Sequence, residues 1–164
     1  MSMLNPAVAE ELSEALAAGP QAMFALLSGL FTAIPGIRTA TFIATAPDRP
    51  VTHRIGTSNP TDFPIGNVDP VDDSPWNNRI LREMKPVIGN DVPGVAAFIP
   101  EVDQLVAMGY GACSCFPIVI AGETRGVVAL LGDAGIFTSA ALAEINTLLP
   151  IAALIFTFQG ISER

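Results

Sequence analysis

The chain has 164 residues, enough for one compact domain with a substantial core and too few to require a second. Its 16 acidic and 8 basic side chains leave a formal net charge of -8, so phosphate backbones and anionic bilayers are repelled and a nucleic-acid partner is not expected. Half of the residues are hydrophobic and 15 % charged, yet no uninterrupted apolar run reaches the roughly 18 residues of a membrane span, because the greasiest stretch, Phe137 to Phe158, contains Glu144, Asn146 and Pro150.

In chain order, Asn5 and Pro6 make an N-cap and first-turn pair that starts a helix ending at Ala18, where Gly19 and Pro20 stop it. Glu10, Glu11 and Glu14 in that helix, with no basic segment before it, are unlike a secretory signal, and a cytoplasmic location is expected. A second helix runs from Pro20 to Ile34 and is apolar round most of its circumference through Met23, Phe24, Leu26, Leu27, Leu30 and Phe31. Leu148 to Phe158 has the same character. Such helices must be covered on more than one side, and self-association through the terminal helices is the simplest cover.

Pro35 and Gly36 then break the chain, and strands over Arg38 to Ala46 and Val51 to Gly56 flank a turn at Pro47, Asp48, Arg49 and Pro50. Thr57 to Asp73 reads as a polar loop. Ser74 caps a helix that begins at Pro75 and reaches about Met84. A short strand at Val87 to Gly89, a loop, and a short helix near Glu101 to Met108 follow. The chain closes with a hairpin, Ala112 to Ile120 and Arg125 to Leu131 about a turn at Ala121 to Thr124, and a last helix capped by Thr138 and stapled by Phe137 against Leu142. The expected organisation is a single domain over 1–164: an N-terminal helix at 1–19, a core at 20–158 and a tail at 159–164.

The segments GYGACSCFPI from Gly109, GETRGVV from Gly122 and FTSAALAEI from Phe137 resemble the end of a GAF domain, a small sensory module of many bacterial signalling proteins. The resemblance spans roughly Pro20 to Phe158. It implies an α+β fold with a central antiparallel sheet, the terminal helices on one face, and a helix and loops forming a ligand cavity on the other. A PAS or profilin-like module would give a similar order of elements. The resemblance also implies pairing through the first and last helices and a stand-alone sensor that binds a small organic ligand, without a cofactor, and signals through dimerisation or a protein partner. The signature of cyclic-nucleotide-binding GAF domains cannot be placed here.

Eight side chains are candidates for the ligand-binding face. Trp76 and Ile80 fall four apart on the helix after Ser74, with Met84 next in that row and Asn77 beside it, so Trp76 could stack on a ligand and Asn77 hydrogen-bond to it. Trp76 could equally be a packing anchor. His53 on the second strand, Phe98 in a loop and Tyr110 before the closing hairpin are further wall candidates.

Cys113 and Cys115 lie two apart on one strand and share a face, with Cα atoms roughly 6.5–7 Å apart, at or beyond the reach of a disulfide. They read first as small core residues. The alternative is a redox enzyme resembling the free methionine sulfoxide reductases, acting through Cys113 or Cys115, although no resolving cysteine stands on a separate loop. A third reading is a filled cavity and a ligand-free interaction module. One histidine and two cysteines do not make a common zinc site, and no catalytic or metal site is expected.

Overall fold

A computed structural model describes residues 5–158; the expected tail at 159–164 lies outside the described residues. Helices α1 (Pro6–Ala18) and α2 (Pro20–Thr32) come first, and the Asn5 side chain accepts the Val8 N–H at 3.0 Å, as its cap position requires. Strands β1 (Ile37–Thr45) and β2 (Val51–Thr57) form a hairpin, to which β3 (Val68–Pro70) adds at the edge. A single α-helical turn, α3 (Pro75–Asn77), runs straight into a π-helical turn (Asn78–Arg82). Then come β4 (Val87–Gly89), α4 (Val92–Ala96), α5 (Val102–Ala107), the hairpin of β5 (Ala112–Ile120) and β6 (Glu123–Gly132), and α6 (Ser139–Thr157).

The six strands make one antiparallel sheet in the order β3-β2-β1-β6-β5-β4. The two long hairpins are joined where β1 pairs with β6, from Ile37 opposite Gly132 to Ala44 opposite Gly126. At the tip of the closing hairpin Ala121 and Gly122 take φ of 52° and 79°, the two left-handed residues of a tight two-residue turn.

Every residue of β6 from Gly126 to Gly132 is buried, which requires both sheet faces to be covered. Side chains alternate across the strand. Val128 and Leu130 face the terminal helices and join Phe42, Phe116, Leu27, Phe31, Ile145 and Leu148 in the larger apolar cluster. Val127, Ala129 and Leu131 face the other way and join Cys113, Cys115, Ile80, Val87, Val95, Leu105 and Tyr110 in a second cluster. The first is roofed by helices of 13, 13 and 19 residues, the second by pieces of three to six.

The long elements lie where the sequence places them, and three departures have physical causes. β3 falls in the expected loop: it is three exposed residues ending in a proline, a weak signal suited only to an edge. α4 also falls in an expected loop, started by Asp91, whose carboxylate accepts the Gly94 N–H at 2.8 Å. The helix after Ser74 leaves α-geometry at Asn78, where the Glu83 N–H reaches back five residues to the Asn78 carbonyl at 2.9 Å. The expected row of Trp76, Ile80 and Met84 is thereby broken: Ile80 is fully buried, whereas Met84 has φ 55° and is 40 % exposed.

α6 is long and apolar enough to cross a membrane by length and composition, and only about a third of it is buried. Ala141, Ile145, Leu148, Ala152 and Ile155 are its buried side, set against the sheet and α2. Pro150 and Asn146 lie on the opposite, exposed face, where the carbonyl that Pro150 leaves unbonded can meet water.

The Phe156 ring closes on a gap left by Gly126, where an added Cβ would stand 2.1 Å from the ring. Gly126→Ala is therefore expected to cost about 1–3 kcal/mol of stability through overpacking. Urea unfolding would read it, and an unchanged midpoint would mean that the ring is not seated there.

Candidate functional site

The second cluster is the face on which most of the candidate side chains converge. Its roof is fixed by a cap. The Ser74 hydroxyl accepts the Asn77 N–H at 3.3 Å, and Asp72 accepts the Ser74 N–H at 2.9 Å and the Asn77 amide at 2.7 Å. The Ser74 hydroxyl, the Ser74 N–H and the Asn77 amide together hold the Asp72 carboxyl below its usual range. Pro75 sets the first turn, and this lock aims Trp76 at the sheet.

Trp76 packs, partly buried, on the cluster that contains Cys115 on the strand below. Cys113 and Cys115 are both buried and share the face, Cys115 opposite Val87 and Cys113 opposite Gly89 on β4. Cys113 donates to Cys115, and that bond together with burial pushes the Cys113 thiol well above its ordinary range. Cys115 moves down because it accepts that bond, against the pull of burial and with help from Trp76.

Ile80 from the π turn and Phe98 from the turn after α4 close on the same cluster. Tyr110 enters from the far side, and its hydroxyl lies 2.6 Å from the Thr39 hydroxyl and accepts from the Asn59 amide at 3.2 Å. Arg38 stacks over its ring at 4.7 Å, so the phenol is pinned on three sides. Trp76, Ile80, Phe98, Tyr110, Cys113 and Cys115 are brought together.

Asn77 and His53 stand apart from them. Both amide hydrogens of Asn77 are occupied, one by Asp72 and one by the Ser74 hydroxyl at 2.9 Å, so its amide serves the cap. His53 pairs with Ala44, whose methyl packs among the terminal helices, so the imidazole is on the opposite sheet face.

Two residues of this face were not foreseen. Arg54 pairs with Ile43 and lies on the Trp76 side; it stacks over Phe63 at 5.5 Å and donates to the Pro64 carbonyl at 3.0 Å. Its Nε is buried without a hydrogen-bond partner among the described residues, and burial lowers its pKa against the pull of Asp69. Phe63, from the loop after β2, also stacks with Tyr110 at 5.9 Å. Strand alternation was the available signal: a lone histidine drew attention to one face of β2 while its neighbour faced the other.

The gap between α4, α5 and the start of β5, lined by Val95, Val102, Leu105 and Tyr110, has no room for a water molecule. An open groove of about 350 Å³ lies outside the cluster, between the hairpin turns and the end of the π turn, lined by Thr45, Leu81, Arg82, Met84, Glu123 and Arg125. Among the described residues no three His, Cys, Asp or Glu side chains are grouped to hold a metal ion.

Residues 4–154 match the family model of the GAF domain, which is most of the chain. The chain belongs to the GAF domain family. Solved structures share the fold at low identity. The GAF domain of a two-component sensor histidine kinase from Bacillus halodurans superposes with a TM-score of 0.71 at 12 % identity, covering 88 % of this chain and 97 % of that one. The phycocyanobilin-bound GAF domain from a cyanobacterial phytochrome gives 0.68 at 17 %, covering 94 % of each chain. A methyl-accepting chemotaxis protein, residues 122 to 287, gives 0.66 at 17 %, covering 89 % and 94 %. No curated protein sequence matches the chain. GAF domains thus serve as sensory and regulatory modules in kinases, phytochromes and chemotaxis proteins, and this chain has their sheet and helix arrangement.

The buried dithiol has a pH signature. The folded state keeps the Cys113 proton to a higher pH than the unfolded chain, whose thiols titrate near ~8.5. That stability is complete below the unfolded value and is lost as pH rises through the folded one. Through Cys113, urea midpoints should fall between pH 7 and pH 10, and replacing both thiols, Cys113→Ala with Cys115→Ala, should flatten the fall; equal slopes in the two proteins would contradict the assignment.

Proposed function

We propose that this GAF domain is a non-enzymatic sensory module that admits a small organic ligand on the Trp76 side of the sheet and passes its occupancy to the terminal helices. The observation that carries this reading is the asymmetry of the two roofs. Helices shorter than about 12 residues are marginal by themselves and depend on packing. The Trp76 side is covered by elements of three to six residues, one of them π-helical, whereas α1, α2 and α6 form a continuous layer. Opening of the short elements exposes Trp76, Tyr110 and Phe63 as stacking surfaces and Arg54 as a cation, while the other core stays intact.

Output through a second copy of the chain fits the surface of the terminal layer. α2 has no charged side chain and α6 only Glu144. Their exposed positions include Gln21, Ala25 and Gly29 on α2 and Ala143, Asn146, Pro150 and Leu154 on α6, all of them uncharged. Light scattering should give a dimer for the wild type and a monomer for Leu154→Lys, with the melting temperature nearly unchanged because Leu154 is not in the core. Equal masses for both proteins would count against this interface.

A second reading, a ligand-free interaction module, is favoured by the absence of room for even a water molecule in the gap beneath α4 and α5. Native against denaturing mass spectrometry of the purified protein separates the two. The sensory reading expects a small molecule that is retained in the native spectrum and weakened by Trp76→Ala. An empty protein that also fails to shift its melting temperature across a metabolite panel would favour the interaction module.

A further inference from the structure

We propose that the groove between the hairpin turns and the end of the π turn is a binding site for a small organic anion, a carboxylate or phosphate on an apolar body, and that its occupant ties the roof over Trp76 to the sheet. The site stands apart from the sensory reading, whereas the tie rests on that reading's opening of the roof.

The groove has about 350 Å³ of free volume, within the range of sites that hold small molecules. Leu81, Met84 and Pro47 give it apolar surface, and Arg82, Arg125 and Glu123 give it charge. That mixture suits a ligand with an apolar body and one charged end.

The sign of the charge follows from the sequence around it. The chain carries -8 overall, yet Arg79, Arg82, Lys85 and Arg125, half of its eight basic side chains, gather at the π turn and the start of β6 against Asp73, Glu83 and Glu123. An anion approaching this acidic molecule therefore finds a favourable field here. Each guanidinium has five N–H donors in a planar fork. Among the described residues, Arg82 uses Nη1 on Asp73 at 2.8 Å and on Asn78, and Arg125 uses Nη2 on Glu123 at 3.1 Å. Both ion pairs are exposed and weak, so a bidentate carboxylate or phosphate can join or displace them. The carbonyls of Asn78, Arg79 and Ile80 do not oppose it, because they accept from the Glu83 N–H at 2.9 Å, the Lys85 N–H at 3.0 Å and the Thr124 hydroxyl at 3.1 Å.

The backbone here has two features that recur at ligand sites. The π turn ends at Arg82, and Met84 takes φ 55°, a left-handed conformation uncommon outside glycine, while standing 40 % exposed. A flexible, polarisable thioether in that place adapts to an apolar ligand body.

The groove also straddles the joint between roof and sheet. Leu81 and Arg82 belong to the π turn, Arg125 to β6 and Thr45 to the end of β1. The Thr45 hydroxyl donates to the Thr124 and Arg125 carbonyls at 3.2 and 3.1 Å, and Thr124 in turn holds Ile80. An anion shared by Arg82 and Arg125 adds a second tie across that joint, and a ligand that binds only the closed roof makes opening rarer.

Benzoate and phenyl phosphate are suitable probes, with benzyl alcohol and benzylamine as neutral and cationic controls. Titrated into the isotope-labelled protein, the two anions should move the NMR signals of amides 81–84 and 122–125, and the controls should not. Arg82→Gln and Arg125→Gln, both at exposed side chains, should each weaken binding by about tenfold. Glu123→Gln frees Arg125 and should tighten it by about twofold. Phenyl phosphate at about ten times its dissociation constant should slow hydrogen exchange of the Asn78–Arg82 amides by about tenfold.

Anion titrations that leave those amides unmoved would overturn the site, as would arginine variants that bind like the wild type. Unchanged exchange in the loaded protein would overturn the tie. Trp76→Phe separates this inference from the sensory reading: it should leave the groove's affinity intact. A probe lost in Trp76→Phe but kept by both arginine variants sits on the Trp76 side, which would sink the inference and leave the sensory reading standing.

Discussion

The structure depends on β6 being buried on both faces while it is paired along both edges. A strand in that position cannot be amphipathic, and the run Gly126 to Gly132 accordingly has no polar side chain. Its alternation then divides the molecule. Val128 and Leu130 commit one face to the terminal helices, and Val127, Ala129 and Leu131 commit the other to the short elements. A one-residue slip in its pairing would exchange the two sets. The glycines at its ends let neighbours approach: the Phe156 ring at Gly126 and the Gly36 carbonyl at Gly132 each occupy the place of a missing side chain.

The two cores differ in how they can yield. The terminal layer has the long helices, the paired aromatics Phe24, Phe31 and Phe42, and a roof that cannot lift in parts. The other side is a patchwork: a capped single turn, a π turn with a left-handed residue just beyond it, and two short helices separated by loops. Trp76, Ile80 and Tyr110 hold that patchwork down, and the Tyr110 hydroxyl is committed to Thr39. Whatever displaces the roof also pulls on the start of β6 through Thr124, and β6 packs directly on α6. That is a continuous mechanical connection between the two faces.

Much of this was legible in the sequence, and for local reasons. Asn5 with Pro6, Ser74 with Pro75, and Thr138 behind Phe137 each mark a helix start by chemistry that acts within four residues. The closing hairpin is legible because alternation and its tight turn agree. The π turn is not, because α and π geometries share composition and differ by one inserted residue, so Met84 was placed on the wrong face. Nor is the facing of His53 and Arg54, since a strand's two sides are distinguishable only when one is anchored, here by Ala44 against the helices. Trp76 was recognised as inward-facing, but the residues it packs with, Val87 and Cys115 among them, come from elements distant in the chain.

The central claim is that the Trp76 side opens on its own while β6 and the terminal helices stay closed. Native-state hydrogen exchange at amide resolution, followed with increasing denaturant, tests it most directly. The account predicts that amides of Pro75–Arg82 and Val92–Ala107 exchange through a low-energy opening, whereas those of β6 and of α6 between Ile145 and Leu149 exchange only with global unfolding. A single opening energy shared by both faces would contradict it.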